Sequence, residues 1–117
     1  PDNPADAQLV EAATNIVLAS WRDTDFSVNR LARELGVHRS ILSRRFRKRT
    51  GTTVADYIAS LRLQNAVTML RETPLSIAEI AFQCGYADPN YFSKIMHARL
   101  GMPPTAFRRK YTANRSL

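Results

Sequence analysis

One pattern occurs twice in this chain, and it limits the fold more than any other feature. "SVNRLARELGVHRSILSRRFRKRTGTTVADY" from Ser27 aligns with "SIAEIAFQCGYADPNYFSKIMHARLGMPPTAF" from Ser76. Ser27 meets Ser76, Leu31 meets Ile80, Ala32 meets Ala81 and Gly36 meets Gly85, all offset by 49. One inserted residue then shifts the offset to 50. Leu42 meets Phe92, Ser43 meets Ser93, Arg44 meets Lys94, Phe46 meets Met96, Gly51 meets Gly101 and Tyr57 meets Phe107. A chain that repeats its apolar register in this way uses one supersecondary unit twice.

Each copy reads as a short helix, a glycine turn and a second helix. Apolar residues recur at helical spacing almost everywhere, and few positions favour strands. Asn3 can cap a first helix with Pro4 at its first position and Asp6 near its positive end. Its stripe is Leu9, Ala13, Ile16, Val17 and Ser20 or Trp21, and the polar "RDTDF" ends it. Ser27 opens a short helix ending at Gly36, and another runs from about His38 to Thr50. Thr53 and Asp56 form a capping-box pair for a long helix to about Glu72, which buries much of its girth before "TPLS". Ser76 and Glu79 open a short helix to Gly85; Asp88 and Pro89 open one to about Leu100; Pro104 opens the last, through Tyr111. The tail "TANRSL" is expected to fray. The expected fold is all-α, with seven helices in two helix-turn-helix subdomains joined by a long linker helix. The first subdomain, with its leading helix, takes residues 1–51, the linker helix 52–73, and the second subdomain 74–117.

Composition points to an anionic partner. The 117 residues carry a formal charge of +7 and a pI of about 10.3. From Pro1 to Asp25 the charge is −4, so the rest of the chain carries +11. No apolar run approaches the ~20 residues of a bilayer span, so no membrane partner is expected. Cys84 is the single cysteine, which excludes an intrachain disulfide and a cysteine metal cluster. On the apolar face of a short helix, it reads as a small buried hydrophobe. His38 and His97 lack partners spaced for a metal, and His38 reads as a surface or phosphate contact. There is no nucleophile with a base and no phosphate loop, so neither an enzyme nor a cofactor is expected. Trp21, Tyr57, Tyr91, Phe92 and Phe107 read as core or rim, not as a stacking platform for bases.

In the second helix of the first copy, Leu42 and Phe46 are apolar and four apart, so they point inward. Ser40, Ser43, Arg44 and Arg47 then share another face. Phe92 and Met96 leave Asn90, Ser93, Lys94 and His97 in the equivalent places. These eight side chains are the candidates for base edges in a major groove: arginine or lysine can address guanine, and asparagine adenine. Arg39, Arg45, Lys48 and Arg49 flank the face and suit phosphate contacts.

The carrying segments "SVNRLARELGVHRSILSRRFRKRTG", "YIASLRLQNAVTMLRETPLSIAEIAFQCGYADPNYFSK" and "GMPPTAFRR" resemble the paired helix-turn-helix domain of AraC/XylS-type transcription regulators. The likeness covers Ser27 to Arg109. Val37 stands where the family often has an aromatic, Met96 where Phe is usual, and Pro103 where Ser or Thr often precedes Pro104. The resemblance implies sequence-specific binding to double-stranded promoter DNA through the same outer faces, usually for activation. It also implies a bacterial cytoplasmic protein, at the nucleoid when bound, with RNA polymerase as a possible further partner. Such regulators often carry an N-terminal effector or dimerisation domain, and a chain starting at Pro1 fits its removal. A linker of about nineteen residues spans roughly 28 Å, close to the ~34 Å between major-groove faces on one side of B-DNA. One chain could then read two successive grooves at an asymmetric site. The alternative is a nucleic-acid-binding protein that uses the same charge without sequence readout.

Overall fold

A computed structural model describes residues 3–115, with side chains through Thr112. Among the described residues it contains seven α-helices and no strand. They are α1 (Pro4–Ser20), α2 (Val28–Leu35), α3 (Arg39–Thr50), α4 (Val54–Glu72), α5 (Ile77–Gln83), α6 (Pro89–Leu100) and α7 (Pro104–Arg115). The last helix runs past Tyr111 through Arg115, so most of the tail expected to fray is helical. Ser116 and Leu117 lie outside the described residues.

Local capping explains most of these boundaries. The Asn3 side chain accepts from the Ala5 N–H at 2.9 Å, and Ser27 Oγ from Arg30 at 3.1 Å. Thr53 Oγ1 accepts from Asp56 at 3.0 Å, Ser76 Oγ from Glu79 at 3.1 Å and Asp88 Oδ1 from Asn90 at 2.9 Å. Gly36 ends α2 at φ 67°, with open space where a Cβ would sit. Its identity is therefore set by the left-handed backbone, not by crowding.

The chain divides into two compact units, with the boundary inside α4. The first comprises residues up to Trp21 with Asp25–Leu61; the second comprises Arg22–Thr24 with residues from Arg62 onward. In the first unit, α1 packs on α2 and α3. The core takes Val10, Ala13, Val17 and Trp21 from α1, with Phe26, Leu31, Leu42, Phe46, Val54 and Ile58. The α1 stripe is thus centred on Val10, while Leu9 and Ile16 are half-buried at its margins. Phe26, in the polar break after α1, is also buried.

In the second unit the core takes Ala66 and Leu70 of α4, Ile80, Ala81, Cys84 and Tyr86, and Phe92 and Met96 of α6. Tyr86 follows Gly85 and packs on Phe92 with ring centroids 4.8 Å apart. Along α4, only Ala55, Asp56, Gln64 and Glu72 are exposed. At its C-terminal end Arg108 donates from Nε to the Leu70 carbonyl and from Nη2 to the Thr73 carbonyl, both at 3.2 Å. These bonds satisfy carbonyls that a helix end leaves without intrahelical partners.

Both units contain the same turn. The Val37 N–H donates to the Ala32 carbonyl at 3.1 Å, and the Tyr86 N–H to the Ala81 carbonyl at 2.9 Å. The inserted residue falls after this bond: Gly36 and Val37 lead to His38, whereas Gly85, Tyr86 and Ala87 lead to Asp88. It lengthens the turn and leaves both helices of each pair intact.

Candidate nucleic-acid interface

The repeated helices α3 and α6 repeat their exposure as well as their sequence. Leu42 and Phe46 are buried, and so are Phe92 and Met96 at the equivalent positions. Ser40, Arg44 and Arg47 are exposed with Ser43 half-buried; Asn90, Lys94 and His97 are exposed with Ser93 half-buried. Each helix therefore presents four polar or basic side chains on one outer face, held in register by two apolar anchors on the other. Tyr91, read as core or rim, is 56% exposed at the start of α6.

The basic residues of α3 separate by their partners. Arg44, Arg47 and Lys48 are exposed, and their side chains make no ion pair or hydrogen bond among the described residues. Arg39 is exposed and donates from Nη1 to Asn29 Oδ1 of α2 at 2.9 Å. Arg49 is exposed in the last turn. Arg45 differs from the other expected phosphate contacts. It is half-buried, with Nε 3.3 Å from Asp6 Oδ1 in the first turn of α1. The α1–α3 packing that buries Leu42 and Phe46 also brings Arg45 to an acid the sequence offered as a helix-dipole partner.

At the start of α3 the capping group is His38, whose Nδ1 accepts from the Ser40 N–H at 3.3 Å. The Ser40 Oγ lies 2.8 Å from the same nitrogen. A histidine two residues before a helical serine was a visible signal for this cap, but histidine ranks below the usual capping residues.

Cys84 is 1% exposed and burial pushes its thiol up to about 11, as suits a small core hydrophobe. Burial likewise pushes the Tyr86 phenol up to about 12; its hydroxyl is buried without a hydrogen-bond partner among the described residues. No group of three or more His, Cys, Asp or Glu side chains is placed to hold a metal among the described residues. Among the described residues, no helix is long and apolar enough to cross a membrane.

A family model described as "Helix-turn-helix domain" matches residues 31–110. The HTH-type transcriptional activator RhaR of Pectobacterium carotovorum is 34% identical over 113 residues, covering 95% of this chain and 39% of the relative. The chain thus spans about two fifths of that relative's length. Among solved structures, the DNA-binding domain of the global transcriptional factor AdpA, in complex with a target DNA, superposes with a TM-score of 0.82 at 27% identity. The match covers 92% of this chain and 96% of that one. A transcriptional regulator from Chromobacterium violaceum, an AraC-type DNA-binding-domain-containing protein, gives 0.71 at 26% identity, covering 93% and 96%.

Proposed function

Because the chain belongs to the AraC/XylS-type helix-turn-helix family of transcription regulators, we propose that it reads a specific double-stranded promoter site, with α3 and α6 entering consecutive major grooves of one duplex. The observation that carries this reading is the matched exposure of the two helices, each with two buried anchors and four outward polar positions. Non-specific grip needs charge but not register. Here the second copy keeps the register while losing most of the charge: Lys94 and His97 stand where the first has Arg44 and Arg47.

In this reading Ser40, Ser43, Arg44, Arg47, Asn90, Ser93, Lys94 and His97 face base edges. Arg39, Lys48 and Arg49 hold phosphate, while Arg45, expected to join them, is held instead by its pair with Asp6. The full protein acts as an activator and not as an enzyme, in a bacterial cytoplasm and at the nucleoid when bound. An effector or dimerisation domain and RNA polymerase are its further partners. The length of the RhaR relative beyond the matched region supports the extra domain.

Site selection from randomised duplexes tests the reading directly. Arg44→Ala should cost ~1–3 kcal/mol and relax preference at one base position, whereas Lys48→Ala should weaken all duplexes alike and lower the salt slope by about 1. A uniform loss for both variants, with no preferred site recovered by the parent, would leave a non-specific binder.

A further inference from the structure

Ser40 sits one residue inside α3, and its hydrogen bonds decide what it can offer a base. Its backbone N–H points at His38 Nδ1, 3.3 Å away. A backbone N–H can only donate, so this bond takes the tautomer in which Nδ1 accepts and the imidazole proton is on Nε2. The Ser40 Oγ lies 2.8 Å from that same unprotonated nitrogen. A hydrogen bond at this distance must use the serine's own hydrogen, because Nδ1 has none to give. Oγ is left with lone pairs alone.

A serine in the major groove is ordinarily undiscriminating, because its hydroxyl turns to donate or accept. Building on the assignment of Ser40 to a base edge, we propose that His38 is a positioning residue that fixes Ser40 as an acceptor, so that it selects adenine or cytosine at one position. Adenine N6 and cytosine N4 offer amino hydrogens in the major groove, whereas guanine and thymine show only acceptors there. Turning the hydroxyl outward to satisfy guanine or thymine breaks the bond to His38. An ordinary hydrogen bond corresponds to about a two- to tenfold preference.

The second copy shows what is particular to the first. At the offset of 50, Asp88 replaces His38 and Asn90 replaces Ser40. Asp88 Oδ1 caps α6 through the Asn90 N–H at 2.9 Å, the same backbone bond. The Asn90 amide carries both donor and acceptor, so it needs no neighbour to fix its polarity. A hydroxyl does.

The test is site selection from randomised duplexes with the parent, Ser40→Ala, His38→Gly and His38→Asn, each checked for helical content and thermal midpoint. Glycine caps helices nearly as well as the preferred residues but offers no side-chain acceptor, and asparagine restores one. Ser40→Ala should relax a single position, at which the parent prefers adenine or cytosine about two- to tenfold. His38→Gly should admit guanine and thymine at that position, and His38→Asn should restore the exclusion. A general weakening of α3 lowers affinity for every duplex and leaves that ratio unchanged. If Ser40→Ala alters no position, the base-reading assignment of Ser40 fails and the proposal falls with it. If one position relaxes but the parent selects guanine or thymine there, or His38→Gly keeps the parental preference, the assignment survives and the role of His38 is refuted.

Discussion

Arg45 and Lys48 lie three residues apart on α3 and carry the same charge, yet the fold gives them different surroundings. Arg45 Nε is 3.3 Å from Asp6 Oδ1, with the arginine side chain 38% exposed and the aspartate 15%. At that distance and an effective dielectric constant of about 20, the gross attraction is about 5 kcal/mol. Desolvation and side-chain ordering consume most of it. Exposed pairs retain ~0.2–1 kcal/mol, and breaking a buried pair costs ~3–5 kcal/mol. The Asp6–Arg45 pair falls between these limits, because Asp6 is largely buried while Arg45 reaches solvent. A coupling of about 1–2 kcal/mol is therefore expected from a double-mutant cycle of Asp6→Asn and Arg45→Gln in urea. In DNA binding, Arg45→Gln should leave the slope of log affinity against log salt nearly unchanged, whereas Lys48→Gln should lower it by about 1. A coupling near zero, together with a salt slope that falls for Arg45→Gln as much as for Lys48→Gln, would refute the reasoning. Arg45 would then be a phosphate contact that merely rests near Asp6 in the free protein.

Further outcomes follow from the second unit. Phe92 is fully buried against Tyr86, so Phe92→Ala should cost ~3–5 kcal/mol in urea unfolding, and a loss below about 1 kcal/mol would contradict its place in the core. Arg108→Lys keeps the charge but cannot span both the Leu70 and Thr73 carbonyls, and should cost about 1 kcal/mol by thermal unfolding. An unchanged midpoint would mean that these carbonyls do not depend on the guanidinium fork. Alkaline pH should also weaken the fold. Below the ordinary thiol value of 9.0, the folded and unfolded chains both keep the Cys84 proton; above it the unfolded chain ionises first, until the folded thiol follows at about 11. Stability should therefore fall across that interval and continue to fall toward about 12 through Tyr86. Cys84→Ala should flatten the first part of the decline in urea titrations run at each pH.

Much of the fold was legible because its signals are short-range. Asn3, Ser27, Thr53, Ser76 and Asp88 bond to N–H groups two or three residues away, and Gly36 ends α2 through its own φ. The repeat added a non-local check that a lone helical hairpin lacks. It matched Leu42 to Phe92 and Phe46 to Met96, and all four are buried. The outer faces followed, since an apolar pair four apart fixes which side of a helix can be polar.

Residues on the border between faces were not legible in the same way. Leu9 and Val10 are adjacent and both apolar, but only Val10 points fully into the core. Phe26 lies in a polar connection yet is only 3% exposed, with the Arg30 guanidinium over its ring. Arg45 and Lys48 look alike in the chain; α1, thirty-odd residues earlier, brings an acid to one of them. The polarity of Ser40 likewise depends on the orientation of the His38 ring. Periodicity gives a helix its buried and exposed sides in steps of about 100° per residue. A side chain at the margin is assigned by whichever neighbour the tertiary packing places beside it, and the margin of α3 is where Arg45, paired with Asp6, and the exposed Lys48 part.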